Sequence, residues 1–484
     1  MKNNKIIIGM FIAVTMLVSC EEHLDVPPVS SITSASYWQG ENDAASYLTG
    51  IYAEYRSLTN THLYSERRAD LLENGPQAPL MANEFNHTLN VDVNGRNWRG
   101  FYEVIHHCNL LLSKMDELEI GDNDIRAQAL SLRALTYFGL IKAFGDVPLN
   151  LEPTLSVPDE MLARTPVAQI MTQIQSDIDD AVGLFSTDAI GNRITISKPA
   201  ALAAQADIYM WSGRVLGGGD SDINVAINAI NAIETSGAAT LLGNYADVFP
   251  VSNERNTEIL FSTYWEVDET GSNTMNDFGV RQDYLGGVDN IAIHYPDVPH
   301  SGNTGLNQAY FSAYLISLYD ENPADVRKDA NTMEVRSVVD SVWRTNLIVK
   351  FIGTWDGVNR TYDNDLIQYR WADMLLLRAE ANNSLGARNE GAALADLNLV
   401  RNRAGIGDYT GASDQASLED EILKERAREL FLENKRWEDL IRSGKVTEMP
   451  SYNAQRGDDM RYIYWPIDKD IMAQNDLLVQ TPGY

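Results

Sequence analysis

Two cysteines occur in the 484 residues, and their surroundings imply different chemistry. Cys20 closes the run Leu17-Val18-Ser19-Cys20. Before it lie Lys2, Lys5 and an apolar stretch, Ile6 to Val18, broken only by Gly9 and Thr15. The stretch is too short to span a bilayer, and the order charge, apolar core, small residue is that of a secretory signal. Its last four residues resemble a bacterial lipoprotein cleavage box, in which the thiol after the cut is diacylated. Acyl chains at Cys20 would hold the protein on a membrane surface with no spanning helix. Glu21 and Glu22 follow at once, as in acidic signals that send some lipoproteins to the outer face of the outer membrane. With Cys20 lipidated, Cys108 has no partner for an intrachain disulfide and reads as a small apolar core residue.

Other reactive-looking groups do not assemble into a site. His106-His107-Cys108 are neighbours on a helical pattern, so their side chains diverge by about 100° per residue and cannot converge on one ion. No His-Glu-x-x-His occurs, and neither metal nor cofactor is expected. Gly217-Gly218-Gly219 follows no strand and lacks a phosphate-binding Lys-Ser/Thr, so it reads as a loop. Asp177, Asp179 and Asp180 are expected on a solvated helix face, outside any calcium loop. With 68 Asp and Glu, carboxylate pairs arise by chance, and nothing marks a nucleophile or an acid–base pair, so no enzyme is expected. Against 38 Lys and Arg those acids give a net charge of -30. Such a surface repels phosphate backbones and anionic headgroups, which excludes nucleic acid as a partner. Removing Met1 to Ser19 takes two lysines, leaving 36 basic against 68 acidic side chains, or -32.

The elements that must carry these residues are mainly helical. Residues 1–19 form the signal and 20–33 a lipidated, Pro-containing tether. A single body of ordinary globular composition, 44% hydrophobic, runs over 34–484. Helical periodicity predicts helices at 36–58, 97–118, 123–144, 166–185, 197–214 and 222–235, then at 366–386, 389–404 and 417–442. Thr165-Pro166 and Ser197-Lys198-Pro199 put a capping hydroxyl ahead of a first-turn proline. Gly145-Asp146-Val147-Pro148 ends the third helix with a glycine cap and a proline block. Residues 237–365 hold many Gly, Asn, Asp and aromatics and read as irregular structure with a few short strands, one at 258–265. From 443 the chain is loop-rich. Short connectors and small residues such as Ala200, Ala201, Ala203, Ala204 and Ala206 indicate tetratricopeptide-like helix pairs, without a strict 34-residue repeat. Arg370, Asp373, Arg378 and Glu380, and likewise Arg426, Glu429, Glu433, Arg436 and Asp439, read as charge pairs that fix packing.

Taken in order, the segments resemble the SusD/RagB family of outer-membrane nutrient-binding lipoproteins over nearly the whole mature chain. The carriers are the cleavage box with HLDVPP (23–28), NWRGFYEVIHHCNLLL (97–112), RAQALSLRALTYFGLIKAFGDVPL (126–149) and TPVAQIMTQIQSDIDDAV (165–182). KPAALAAQADIYMWSG (198–213), YRWADMLLLRAEANNSLG (369–386), LNLVRNRAGI (397–406), ERARELFLENKRWEDLIRSG (425–444) and YIYWPID (462–468) complete the set.

The resemblance implies a non-catalytic surface protein that sits as a lid over a SusC-like TonB-dependent transporter and captures oligosaccharides, or in some members peptides, for import. The 9 Trp, 22 Tyr and 12 Phe suit that task, because a flat ring covers the C–H face of a pyranose while Asn, Asp, Gln and Arg bond its hydroxyls. In the family the segment before the Trp-initiated helix borders the ligand, which points to 68–98 with Arg68, Asp70, Asn74, Gln77, Asn94, Arg96 and Trp98. A second stretch, 264–304, offers Trp265, Tyr284, Asn290, His294, Tyr295 and His300, and a third offers Trp343, Trp355 and Tyr362. Asp70, Asn74, Arg96, Trp98, Tyr284, His294, Tyr295 and Trp355 are the ligand candidates. The charge of -32 favours a neutral glycan unless Arg68, Arg96 or Arg281 reverses it locally.

Overall fold

The computed structural model describes residues 37–75, 82–156, 161–285, 298–336, 341 and 343–484. Cys20 and the signal and tether before Tyr37 lie outside them. The first half is a row of helices: α1 (Glu41–Thr59), α2 (Arg99–Glu117), α3 (Asn123–Phe144), α4 (Val167–Leu184), α5 (Lys198–Val215) and α6 (Gly219–Ser236), each packed on the next. Asp122 caps α3 by accepting from the Ile125 N–H, and Gly145 at φ 72° ends it ahead of Pro148. Ser197 caps α5, with Pro199 in the first turn. α3 is apolar on nearly every side because α2 covers one face and α4 another; the alanines of α5 let α4 and α6 approach closely. α4 is tied to α3 by a buried fork in which Arg133 Nε and Nη2 donate to Asp177, both at 2.7 Å. Asp177 is therefore a core ion-pair partner, correcting the expected solvated position; Asp179 and Asp180 are exposed.

The irregular half begins with β2 (Ile259–Thr263), whose antiparallel partner is β8 (Leu366–Arg370). Around them, β1 (Leu72–Asn74) pairs with β3 (Ala309–Phe311), β4 (Thr332–Arg336) with β5 (Trp343–Ile348), and β6 (Thr354–Trp355) with β7 (Arg360–Thr361). α7 (Ala313–Asp320) follows β3. The second scaffold part comprises α8 (Trp371–Ser384), α9 (Glu390–Arg403), α10 (Gln415–Glu429) and α11 (Arg436–Arg442), and α8 packs on α6, so the row continues. α12 (Pro450–Arg456) lies in the loop-rich C-terminal part.

Two expected helices change. Residues 366–370 are strand, because the buried Leu366, Tyr369 and Arg370 pair with β2; the helix starts only at Trp371. The single helix expected over 417–442 breaks between Glu429 and Arg436, where Leu432 (φ 61°) and Asn434 (φ 55°) take left-handed backbone. That turn lets Glu429 and Glu433 reach Arg370, which is fully buried. Its Nε donates to Glu433 at 2.7 Å, and its Nη1 to Glu258 at 2.8 Å and Glu429 at 2.6 Å. Arg403, Arg327 and Lys350 complete the cluster, Lys350 Nζ donating to Glu433 at 2.6 Å. These charges fix packing, as expected from sequence. Among the described residues no helix is long and apolar enough to cross a membrane.

Candidate functional site

Trp355 stands on a two-stranded hairpin whose tip is Asp356-Gly357-Val358-Asn359. An aspartate before glycine suits a tight turn, and here the Asp356 carboxylate accepts from the N–H groups of Val358 and Asn359, both at 2.7 Å. The base of the hairpin is held from behind. Asp363 accepts from the Thr354 N–H (2.8 Å) and hydroxyl (2.9 Å), and Asn364 Oδ1 from the Gly353 N–H (2.7 Å). Gly353 adopts φ 58°, and a Cβ there would run into the Thr361 carbonyl.

So fixed, Trp355 is 38% exposed. The His300 ring meets it edge-on, centroids 5.0 Å apart, and the Arg360 guanidinium lies 5.5 Å from its centroid. His300 Nδ1 accepts from the Gly302 N–H at 3.0 Å, which leaves Nε2 as the protonated nitrogen. Burial and the Arg360 charge hold His300 below its usual range, so the ring is neutral at pH 7 and offers an N–H donor. Arg360 Nη1 donates to the Ile352 carbonyl at 3.0 Å, and no carboxylate pairs with Arg360 among the described residues. Asn303 and Asn359 add amides at the rim, the Asn303 N–H donating to Asn359 Oδ1 at 3.1 Å. An exposed, immobilised indole with polar groups around it is the arrangement that covers a sugar ring and bonds its hydroxyls.

Residues 298–314 lead from this platform to a cleft of about 730 Å³ between the β1–β3 pair, α7 and the α10–α12 side. Asp70 and Asn74 line it, as the sequence suggested, together with Tyr314, 39% exposed on α7. Asp70 is also a scaffold residue, since Arg436 forks onto it at 2.7 and 2.8 Å. Asn74 is exposed and pairs with Ala309.

The other candidates fall elsewhere. Trp98 is buried, edge-on to Tyr102 and Phe144, and its ring is a packing element with no face left for a sugar. Arg96 is half-buried, paired with Glu84 at 2.7 Å and 4.8 Å from the Trp465 centroid; it positions the 84–96 segment. Arg68, Asn94, Trp265 and Tyr362 are buried as well, Tyr362 bonding Ser301 behind the hairpin at 2.5 Å. His294, Tyr295, Asn290 and Gln77 lie outside the described residues, as do the side chains of Tyr284 and Trp343. Sequence reasoning missed Arg360, Tyr314 and Asn359. The turn signal Asp356-Gly357 directly after Trp355 was the available clue to the hairpin.

Two family models match the chain, one described as the SusD family over residues 318–484 and one as "Starch-binding associating with outer membrane" over 22–210. A SusD-like protein of Formosa agariphila is 27% identical over 100% of this chain and 99% of its own length. The starch-binding protein SusD of Bacteroides thetaiotaomicron is 23% identical over 74% of this chain and 72% of its own. Among solved structures, B. fragilis NanU superposes with a TM-score of 0.82 at 29% identity, covering 95% of this chain and 100% of that one. A laminarin binding SusD-like protein shares the fold at TM-score 0.75 and 22% identity, with 92% and 100% covered. The helical architecture and the ordered segments agree with these matches along the chain's length. The names of these relatives speak of starch and laminarin binding, and the description of the second model adds association with the outer membrane. In the order of its segments, in fold and in both matching models, this chain is similar to the SusD/RagB family.

Proposed function

We propose that the protein, once cut before Cys20 and lipidated there, captures oligosaccharides at the cell surface and delivers them to a SusC-like TonB-dependent transporter. Residues 20–33 serve as the tether and the body from 34 onward as the capture module. The observation that carries the reading is the Trp355 platform: a rigid, solvent-facing indole with a neutral His300 donor and amides at its rim. Binding there needs little reordering, because the hairpin is already fixed by Asp363 and Asn364. The acidic surface elsewhere, at a net charge of -30 for the whole chain, supports a neutral glycan as the ligand.

Affinity electrophoresis and calorimetry against a neutral glycan panel, beginning with starch and laminarin oligosaccharides, test the proposal. One glycan should bind, and Trp355→Ala should weaken it by about 2 kcal/mol, roughly 30-fold. Binding of oligopeptides with no glycan bound would overturn the substrate class, and tight binding of acidic polysaccharides would overturn the preference for neutral ones. Co-purification of a TonB-dependent transporter with the lipidated chain tests the delivery step.

A further inference from the structure

The cleft of about 730 Å³ beside α7 shares no lining residue with the Trp355 platform. Its volume falls within the span of about 300–1,000 Å³ that ligand sites occupy. Its floor is apolar, made by the buried Leu72, Phe85, Leu440 and Met449. Tyr314 is the exposed aromatic residue of the lining.

Tyr314 is held in place from two directions. It lies in the first turn of α7, whose start Ser312 clamps. The Ser312 hydroxyl donates to the Asp70 carbonyl at 2.7 Å and accepts from the Leu315 N–H at 3.2 Å, while its N–H donates to the Leu71 carbonyl at 2.9 Å. The Arg436 guanidinium lies 5.9 Å from the Tyr314 centroid and is itself locked onto Asp70. A ring fixed in this way loses little freedom when a ligand covers it.

The charges of the lining are nearly all matched. Lys445 lies 3.2 Å from Asp420 and 3.1 Å from Glu448, Lys424 donates to Glu321 at 2.7 Å, and Arg436 and Asp70 satisfy each other. Glu73, exposed on β1, has no cation in ion-pair range among the described residues. An anionic ligand would meet that carboxylate without a free cation to offset it, whereas a hydroxyl-bearing ligand finds a strong acceptor. Asn74 and Asn86, both exposed, add amide donors and acceptors.

We propose that this cleft is a second glycan site, separate from the Trp355 platform, for a stretch of neutral oligosaccharide. One pyranose lies on the free face of Tyr314, its hydroxyls donate to Glu73 and exchange hydrogen bonds with Asn74 and Asn86, and the neighbouring sugar covers the apolar floor. This rests on the glycan reading above and adds a second point of attachment. Thr304, whose hydroxyl donates to the Arg360 carbonyl at 3.0 Å, precedes Tyr314 by ten residues, so at most about 36 Å of backbone separates the two sites. A polysaccharide that touches both at once gains by avidity.

The test is calorimetry of the full chain in detergent with the trisaccharides of starch and of laminarin, and affinity electrophoresis with the parent polysaccharides. The trisaccharide that binds should occupy two sites per chain. Trp355→Ala and Tyr314→Ala should each leave one, and the double variant none. Ser451→Trp fills the cleft from an exposed position and should remove the same site as Tyr314→Ala. Each single variant should hold the polysaccharide at least tenfold more weakly than wild type. A single site lost in Trp355→Ala and untouched in Tyr314→Ala and Ser451→Trp overturns the second site and leaves the platform standing. A single site lost in Tyr314→Ala alone keeps the cleft and overturns the platform. Oligopeptides bound in place of a glycan, and lost in Tyr314→Ala, overturn the ligand class of the cleft. No glycan bound to wild type overturns both readings.

Discussion

His87 is a buried imidazole with no hydrogen bond to either ring nitrogen. It stacks on Trp437 at 5.7 Å and meets Tyr452 edge-on at 5.1 Å. Burial first, then the Arg68 and Arg456 charges, lowers it from 6.5 to about 3. His62, buried beside Arg67, is likewise lowered to about 3. Both are therefore neutral in the folded protein at any pH above about 3, whereas the unfolded chain protonates them below about 6.5. Between those values the unfolded state binds the extra proton, so stability falls as pH drops, by about 1.4 kcal/mol per pH unit for each histidine. At about pH 5, some 1.5 units below 6.5, that amounts to about 2 kcal/mol each, or about 4 kcal/mol together.

His87→Phe removes one of the two shares. It forfeits no hydrogen bond, since none is made, and the left-handed backbone at His87 (φ 54°) adds a penalty that does not vary with pH. The decisive quantity is thus the change in unfolding free energy between about pH 7.5 and about pH 5, from urea melts followed by tryptophan fluorescence. Carboxylates contribute equally to both proteins, so the variant should lose about 2 kcal/mol less than wild type over that interval. Equal losses within about 0.5 kcal/mol would refute the reasoning, because they would mean that His87 takes up its proton without unfolding.

Further outcomes follow from other sites. Arg370→Met leaves Glu258, Glu429 and Glu433 short of a partner in a dry interior and should cost about 3–5 kcal/mol, read from the same melts. Gly353→Ala forces a side chain into the Thr361 carbonyl at a left-handed position. It should cost about 1–3 kcal/mol and lower glycan affinity with Trp355 itself unchanged, measured by calorimetry. Cys20→Ala should move the protein from the membrane fraction to the soluble fraction of cells, seen by immunoblot; retention in the membrane would remove the lipid anchor from the reading.

The scaffold was legible because its rules are local. Capping at Asp122 and Ser197, the Gly145 stop and 3.6-residue periodicity each place a helix end or a buried face within a few residues. Where tertiary partners decide, periodicity alone misleads. Leu366 to Arg370 has the apolar content of a helix but pairs with β2, and the turn at Leu432 and Asn434 exists because Glu429 and Glu433 both converge on Arg370. The ligand side was harder for the same reason. Trp98 and Trp355 look alike in sequence, yet the first opens a helix packed against Phe144 and the second rides a hairpin fixed by Asp363, with its edge-on partner His300 lying 55 residues earlier in the chain. Arg360 and Tyr314 acquire meaning only when the chain brings them to Trp355 and Asp70.

The division of labour within the Trp355 hairpin has a consequence for engineering. Its anchoring bonds come from Asp363 and Asn364 at the base, while the tip residues 356–359 bond mainly to one another. The tip is thus an exchangeable cartridge. Turns of other length and polarity can be grafted between Trp355 and Arg360 without disturbing the helical chassis, offering a route to retarget a surface receptor toward a chosen sugar by loop replacement alone.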